Sequence, residues 1–381
     1  MANTLTGLIP TLYESMDIVS RELVGFIPAV SRNSNAERAA KDQTVRYPIV
    51  PAVTGEAITA GAAPADSGDQ TIGYGDMTIS KAYAYPVRIT GEEEMGLKTG
   101  GKYAEIARDR FAQALRAAVN DVEADIAALY VGASRAYGTA GTTPFGSSFD
   151  DAAEMLKILD DNGCPATERS LVLNTSAALN MRKLSGYTSA AEAGSDEQRR
   201  RGIILPLHGF DIRQSAQVKY HTKGTATGFD ADGGEPAGET TIVVDGSDSG
   251  TILAGDVVTW AGDTNKYIVA STTASGAASG NIVIAKPGLL APLATTVEGT
   301  IGSSYRANMA FHKSAIQLVT RLPAVPEGGD SADDAFTLTD PVSGLSFEVR
   351  VYRQYRRVKY EVCLAWGCAM VKPEFAGILL G

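Results

Sequence analysis

The chain has 381 residues, enough for two or three domains and a sizeable core, and 44% apolar with 20% charged residues describes a folded protein, not a disordered one. Its net charge of −10, from 34 Lys and Arg against 44 Asp and Glu, argues against a protein that clamps nucleic acid over its whole surface, leaving open a basic face on one side. Three cysteines (Cys164, Cys363 and Cys368) are too few for a disulfide framework and read as reduced thiols.

The first residues, MANTLTGLIPTLYESMDIVSRELVGFIP, carry Glu14, Asp17 and Glu22 without a basic leader, so they do not read as a signal peptide. No run reaches the roughly 18 apolar residues needed to span a bilayer. The expectation is a soluble protein made inside a cell. Leu12, Met16, Val19 and Leu23 mark one face of a short helix. SRNSNAERAAKDQ (31–43) is polar and reads as an arm, not a core element.

VRYPIVPAV (45–53) and MTISKAYAYPVRIT (77–90) are strand-like and flank a Gly/Ala/Asp-rich segment, which predicts a long two-stranded hairpin over about 46–90. Such a hairpin is marginal alone in water, so it must pack on its own domain or on another molecule. Residues 102–131 lack Gly and Pro, and Phe111, Leu115, Ala118, Val122, Ile126 and Leu129 form one apolar stripe. That predicts a strut-like helix about 45 Å long.

Residues 145–220 alternate helix and strand: FDDAAEMLKILDDNG closed by Gly163, the strand SLVLN, the helix TSAALNMRKL, then strand-like segments. Residues 222–308 hold 14 of the 40 glycines, with nine acidic against four basic side chains. TTIVVDG, DVVTWAG, KYIVAS and NIVIAKPG predict a small barrel or sandwich inserted into the main fold. NMAFHKSAIQLVTRLP (308–323) is apolar and regular. LSFEVRVYRQ alternates, and after a turn near Gln354, Val358 to Val371 reads as its buried antiparallel partner.

Several motifs yield to plainer readings. GLKTGGKY (96–103) approaches a phosphate-binding loop, but Tyr103 stands where the Mg²⁺-binding hydroxyl belongs, so it reads as a Gly-rich lead into the long helix. Asp230 and Asp232 suggest a calcium loop whose third ligand is missing, Gly234 standing there, and read as a polar surface turn. His208, His221 and His312 have no neighbours at metal-ligand spacing, and no G-x-S-x-G elbow occurs. The sequence therefore names no catalytic, cofactor-binding or metal-binding residue. RRR at 199–201 and the cluster at 350–359 are the dense basic spots, read as solvated or interface charge, with weak polyanion contact as the alternative. Cys363 and Cys368 lie five apart on opposite strand faces among apolar neighbours and read as core residues, not ligands.

In combination these parts resemble a known family. NMAFHKSAIQLVTRLP is similar to the N-x-A-F-H-K segment of tailed double-stranded DNA phage major capsid proteins of the Hong Kong ninety-seven fold. YRQYRRVKYEVCLAWGCAMVKPEFAG (352–377) resembles their C-terminal strand pair and closing V-x-P-E. TLYESMDIVSRELVGFIPAVSR is similar to the coat proteins of short-tailed phages that carry an insertion domain, and 222–308 sits where that group places it. The resemblance implies an α+β capsid fold: N-terminal arm (1–45), extended hairpin loop (46–100), spine helix (101–135), axial domain (136–221), inserted β-barrel-like domain (222–308) and return strands (309–381). It further implies a non-enzymatic homo-oligomer of hexamers and pentamers without cofactor, assembled in a bacterial cytoplasm with scaffolding, portal and decoration proteins. The shell would enclose double-stranded DNA by weak non-specific contact, without membrane. No Lys/Asn isopeptide pair is visible, so cross-linking is not expected. The alternatives are an encapsulin-like nanocompartment shell and an α/β enzyme with a β accessory domain.

Overall fold

An alanine-rich run without Gly or Pro forms the longest helix, and one apolar sheet packs on it. The computed structural model describes residues 8–20, 25–49, 60, 72–101, 103–184, 206–246, 250–274, 279–340 and 344–381 as a mixed α/β fold with few helices and many strands. The first elements are α1 (Ile9–Ser20), β1 (Ser31–Ala39), β2 (Thr44–Ile49), β3 (Gly73–Thr78), β4 (Lys81–Thr90), α2 (Gly91–Thr99) and the long α3 (Tyr103–Ala128).

The sheet on α3 is organised by the last long strand, β19 (Arg357–Met370). β4 pairs antiparallel along one edge of it, from Lys81 opposite Trp366 to Thr90 opposite Arg357. β18 (Ser346–Gln354) and β16 (Ile316–Pro323) share the other edge end to end. β17 (Asp334–Thr339) extends the sheet beyond β18, and β1 pairs in parallel beyond β16. Tyr360, Val362, Leu364 and Trp366 turn one face of β19 towards Phe111, Leu115, Ala118, Val122 and Ile126 of α3 and Leu12 and Met16 of α1, in one buried cluster. The Phe111 and Tyr360 rings meet edge-on at 5.4 Å, and the Trp366 indole donates to Asp125 Oδ2 at 2.8 Å.

The opposite face of β19 is small because the chain crosses it. Met77 and Ile79 pack with Ala365 and Val319 in a satellite core. A Cβ on Gly367 would lie 2.1 Å from the Thr78 carbonyl oxygen, a distance only glycine avoids. β2 and β3 pair with each other as a separate two-stranded ribbon, where the Tyr47 ring covers Gly75 across the strands.

The second layer holds β5 (Arg135–Tyr137), α4 (Asp150–Asp161), β6 (Arg169–Leu173), α5 (Thr175–Lys183), β7 (Phe210–Gln214), β8 (Tyr220–His221), β15 (Tyr305–His312) and β20 (Ala376–Leu380). Its strands run β7-β6-β15-β20-β5. Met155 and Leu159 of α4 and Met181 of α5 pack with Leu171, Leu173, Ala310 and Leu379. α4 stops where Gly163 takes φ 71°, with Cys164 N–H bonding back to Leu159 O. The Asn174 side chain caps α5 by accepting from Ala177 N–H.

The third unit comprises β9 (Phe229–Ala231), β10 (Thr241–Gly246), β11 (Val257–Trp260), β12 (Lys266–Thr272), β13 (Gly280–Ile284) and β14 (Val297–Ile301). β11 pairs with both β14 and β12, so the six strands close into a ring, with Phe229, Trp260, Tyr267 and Ile282 in its core. β12 also pairs with β5, which joins the ring to the second layer.

The structure differs from the sequence expectation at several elements. Residues 31–39, read from the sequence as a polar arm, form the edge strand β1, because pairing with β16 uses backbone groups and needs no apolar side chains. The predicted second hairpin strand splits at Ile79 and Ser80: β3 stays in the ribbon, while β4 joins β19. The segment between β2 and β3 lies outside the described residues, apart from positions 60 and 72. α2 was not expected; its N-terminus is fixed by a capping box in which Thr90 Oγ1 accepts from Glu93 N–H and Glu93 accepts from Thr90 N–H. In the ring, the short β9 and β14 escape periodicity, and Asp230 lies in a strand between β10 and β14, not in a surface turn.

Candidate assembly surfaces

The basic cluster on β18 and β19 alternates sides with the strand period, so part of it lines the sheet face away from α3. There Arg350 Nη1 and the Tyr352 hydroxyl both donate to Asp330 Oδ2 at 2.8 Å. Lys359 pairs with Glu361 on its own strand, and Arg38 reaches from β1 to hold both oxygens of Glu348, at 2.5 and 3.1 Å. Burial and the Asp330 carboxylate push the Tyr352 hydroxyl up to about 12, while the Tyr352 hydrogen bond holds Asp330 below the usual carboxylate range. Much of the cluster is thus neutralised from within. The remainder sits at the turn, where Tyr355 is 88% exposed and Arg356 takes φ 54°.

The ribbon presents the opposite character. Its base is anchored by Met77 and Ile79, but Ile72 and Tyr74 are 53% and 67% exposed. Beside β4, a groove of about 460 Å³ runs between Tyr85, Pro86 and Val87 on the strand and Gln113, Ala114 and Ala117 on α3.

Two buried polar centres were not legible in the sequence. Glu123, on the buried side of α3, accepts from Gly25, Phe26 and Ile27 N–H at 2.6, 2.7 and 2.9 Å and so holds the segment after α1 against the helix. Burial raises its pKa, and these N–H donors oppose that shift. His221 lies between Tyr130, whose hydroxyl is 2.8 Å from Nδ1, and Asp256, whose Oδ1 is 2.8 Å from Nε2. Asp256 also accepts from Gly224 and Leu253 N–H, and the Tyr305 hydroxyl donates to Gly255 O. Tyr130, His221 and Asp256 are 9%, 6% and 0% exposed, so this hub joins the ring to the end of α3 and presents nothing to a substrate. Its members lie 91 and 35 residues apart, and no local motif announces them.

The other sequence candidates stay apart. Residues 96–101 end α2 and turn through Gly101 at φ 69°, and Tyr103 begins α3. His312 caps the short turn Lys313–Ala315 by accepting from Ser314 N–H. Burial pushes His312 below the ordinary imidazole value, with Glu168 opposing. His208 lies in the turn before β7 at φ 48°. Cys363 and Cys368 are unpaired, as is Cys164, and burial pushes the first two up to about 12. No three His, Cys, Asp or Glu side chains gather at metal-binding distance among the described residues, and residues 199–201 lie outside them.

No protein-family model and no curated protein matches the chain. Among solved structures it is similar to a chain in a capsid structure of the cyanophage P-SCSP1u, at 11% identity, 94% coverage of this chain, 88% of that chain and a TM-score of 0.49. It is similar to a chain of the mature capsid asymmetric unit of bacteriophage PhiM1, at 10% identity, 93% and 86% coverage and a TM-score of 0.46. A virus-like particle from Pyrococcus furiosus is similar at 10% identity, 98% and 99% coverage and a TM-score of 0.43. Likenesses this remote leave the function to be argued from the residues and geometry of the chain itself.

Proposed function

We propose that the chain is a shell-forming structural protein, the major capsid subunit of a tailed double-stranded DNA phage of the Hong Kong ninety-seven type. The supporting observation is the β2–β3 ribbon: two strands that pair only with each other, with Ile72 and Tyr74 exposed beyond an anchored base. A two-stranded ribbon gains little stability alone, and a neighbouring copy supplies the missing surface. In this reading α3 is the spine of the peripheral domain, the second layer is the axial domain, and the ring is the inserted domain of short-tailed-phage coat proteins. The segments 308–323 and 352–377, whose residues resemble that family, become β15, β16, β18, β19 and β20, which hold the two layers together. The partners are copies of the chain in hexamers and pentamers, a scaffolding protein, a portal, decoration proteins and enclosed DNA. The place of action is the virion capsid, assembled in the host cytoplasm.

Expression of the full chain with its scaffold, followed by electron microscopy, tests the reading. Closed megadalton particles are the expected result. A strictly monomeric product under assembly conditions overturns it, and particles that take up an enzyme instead of DNA would make the chain a nanocompartment shell.

A further inference from the structure

The corner where α2 meets the β18–β19 turn is built from exposed residues. None of the nine residues of α2 is buried, so this helix gives no side chain to a core. It is held by its capping box and by Gly91 N–H donating to Arg356 O at 3.1 Å. The two most exposed large apolar side chains among the described residues are both here, Tyr355 at 88% and Met95 at 72%. On α2, Met95 stands three residues from Glu92 and shares its face. Between the helix and the turn lies a groove of about 620 Å³.

The walls of this groove carry opposite charge. Glu92 and Glu94 line it from α2, and Arg353, Arg356 and Arg357 line it from the turn and its flanks. Part of that charge is paired at the surface: Glu94 with Lys98 at 2.6 Å, Arg353 with Asp333 at 2.9 Å, and the adjacent Glu93 with Arg110 at 3.5 Å. Arg357 Nε donates to the Gln354 side chain, and the Arg356 guanidinium lies 5.7 Å from the centre of the Tyr355 ring. Among the described residues, Arg356 and Arg357 have no carboxylate and Glu92 has no cation at ion-pair distance. Gln354 pairs with Arg357, so Tyr355 and Arg356 are the two turn residues, and Arg356 sits at φ 54°. Glycine or asparagine fills that left-handed position at lower cost, so the fold itself does not call for an arginine there.

A partner of one charge sign, such as a nucleic acid or an acidic tail, is attracted by one wall and repelled by the other. A surface that carries both signs around exposed apolar side chains satisfies both walls, and this corner is itself such a surface. We infer that the corner is a contact between copies of the chain: the Tyr355–Arg356 turn of one copy seats in the groove of another, with Arg356 and Arg357 against Glu92 and Glu94 of that second copy. The same docking covers Tyr355 and Met95, whose exposure otherwise has no compensation. The proposal deepens the shell reading and rests on it for the presence of neighbouring copies; the complementarity comes from the corner alone.

The test expresses the full chain with its scaffold and measures particle yield by sedimentation and electron microscopy. Arg356→Gly suits the turn and removes the charge, so the free chain is expected to keep a urea midpoint at or above wild type while particle yield falls several-fold. Arg356→Glu is expected to lower the yield further, and adding Glu92→Arg to it is expected to restore the yield towards wild type. A short bismaleimide is expected to join tagged Glu92→Cys chains to untagged Arg356→Cys chains in mixed particles, and not in dilute free chains. An Arg356→Gly chain that assembles at wild-type yield, a charge swap that restores nothing, or the absence of the cross-linked pair from particles overturns the proposal. Normal particle yield with a loss of duplex DNA binding in Arg356→Gly assigns the groove to a polyanion and overturns it too. In each of these cases wild-type particles leave the shell reading standing, whereas a wild-type chain that stays monomeric overturns both.

Discussion

Gly367→Ala probes the crossing that anchors the ribbon to the first sheet. The new methyl carbon would lie 2.1 Å from Thr78 O and 3.1 Å from Ile79 Cα, so the crossing chain must move by about 1 Å or more to restore van der Waals contact. Overpacking of this kind costs about 1–3 kcal/mol. The alternative is to release the base, which exposes Met77 and Ile79, now 2% and 0% exposed, at about 1.5–3 kcal/mol for each side chain. It also gives up the hydrogen bonds Asp42 N–H to Ile79 O and Ile79 N–H to Gln43 O. Shifting is cheaper than releasing, so the expected loss is about 1–3 kcal/mol, with the ribbon still attached. Urea unfolding should show a lower midpoint at an unchanged slope, and hydrogen exchange should quicken at the Ile79 amide. Gly96→Ala is the control: it lies within α2, has nothing within 4 Å of its added Cβ, and should be neutral or stabilising by up to about 1 kcal/mol. A Gly367→Ala variant within about 0.5 kcal/mol of wild type would refute the steric argument.

Glu123→Ala leaves the N–H groups of Gly25, Phe26 and Ile27 without their acceptor, and a loss on the order of 3 kcal/mol is expected, after partial rescue by water, in urea unfolding. The same variant should lose its first residues to protease faster than wild type. His312 has a lowered folded pKa, so the unfolded chain takes up its proton first, at about 6.5, and this contribution to stability falls as pH drops from there towards the folded value. His312→Asn keeps a capping side chain and should flatten that part of a plot of urea midpoint against pH. Cys363, buried and held up near 12, should react with a thiol reagent at pH 8 only as fast as the chain opens; rapid labelling of Cys363 in the native protein would contradict its placement. Deleting residues 52–70, which spares β2 and β3, should leave the chain soluble and block or distort assembly, with normal particles counting against a clasp between subunits.

Much of the secondary structure was legible because burial imposes a period on sequence. The stripe from Phe111 to Ile126 became the buried side of α3, and the alternation before Gln354 became β18, joined to β19 through Tyr355 and Arg356. The capping box Thr90–Glu93 was equally present in the sequence and would have located α2. β1 left no such trace, since an edge strand is held by its backbone while its side chains remain polar.

By itself the sequence determined which segments have an apolar face and what period that face follows, because side-chain burial is a local demand repeated along the chain. It could not say that 308–323 turns after His312 so that β15 enters one sheet and β16 another. Nor could it say that Gly367 is small because Thr78 crosses it, or that Asp330 faces Arg350 and His221 faces Tyr130 and Asp256. Those relations are distances between residues far apart in sequence. They exist only once the packed cores have fixed where each strand lies, and there the burial of a polar group makes its partner obligatory.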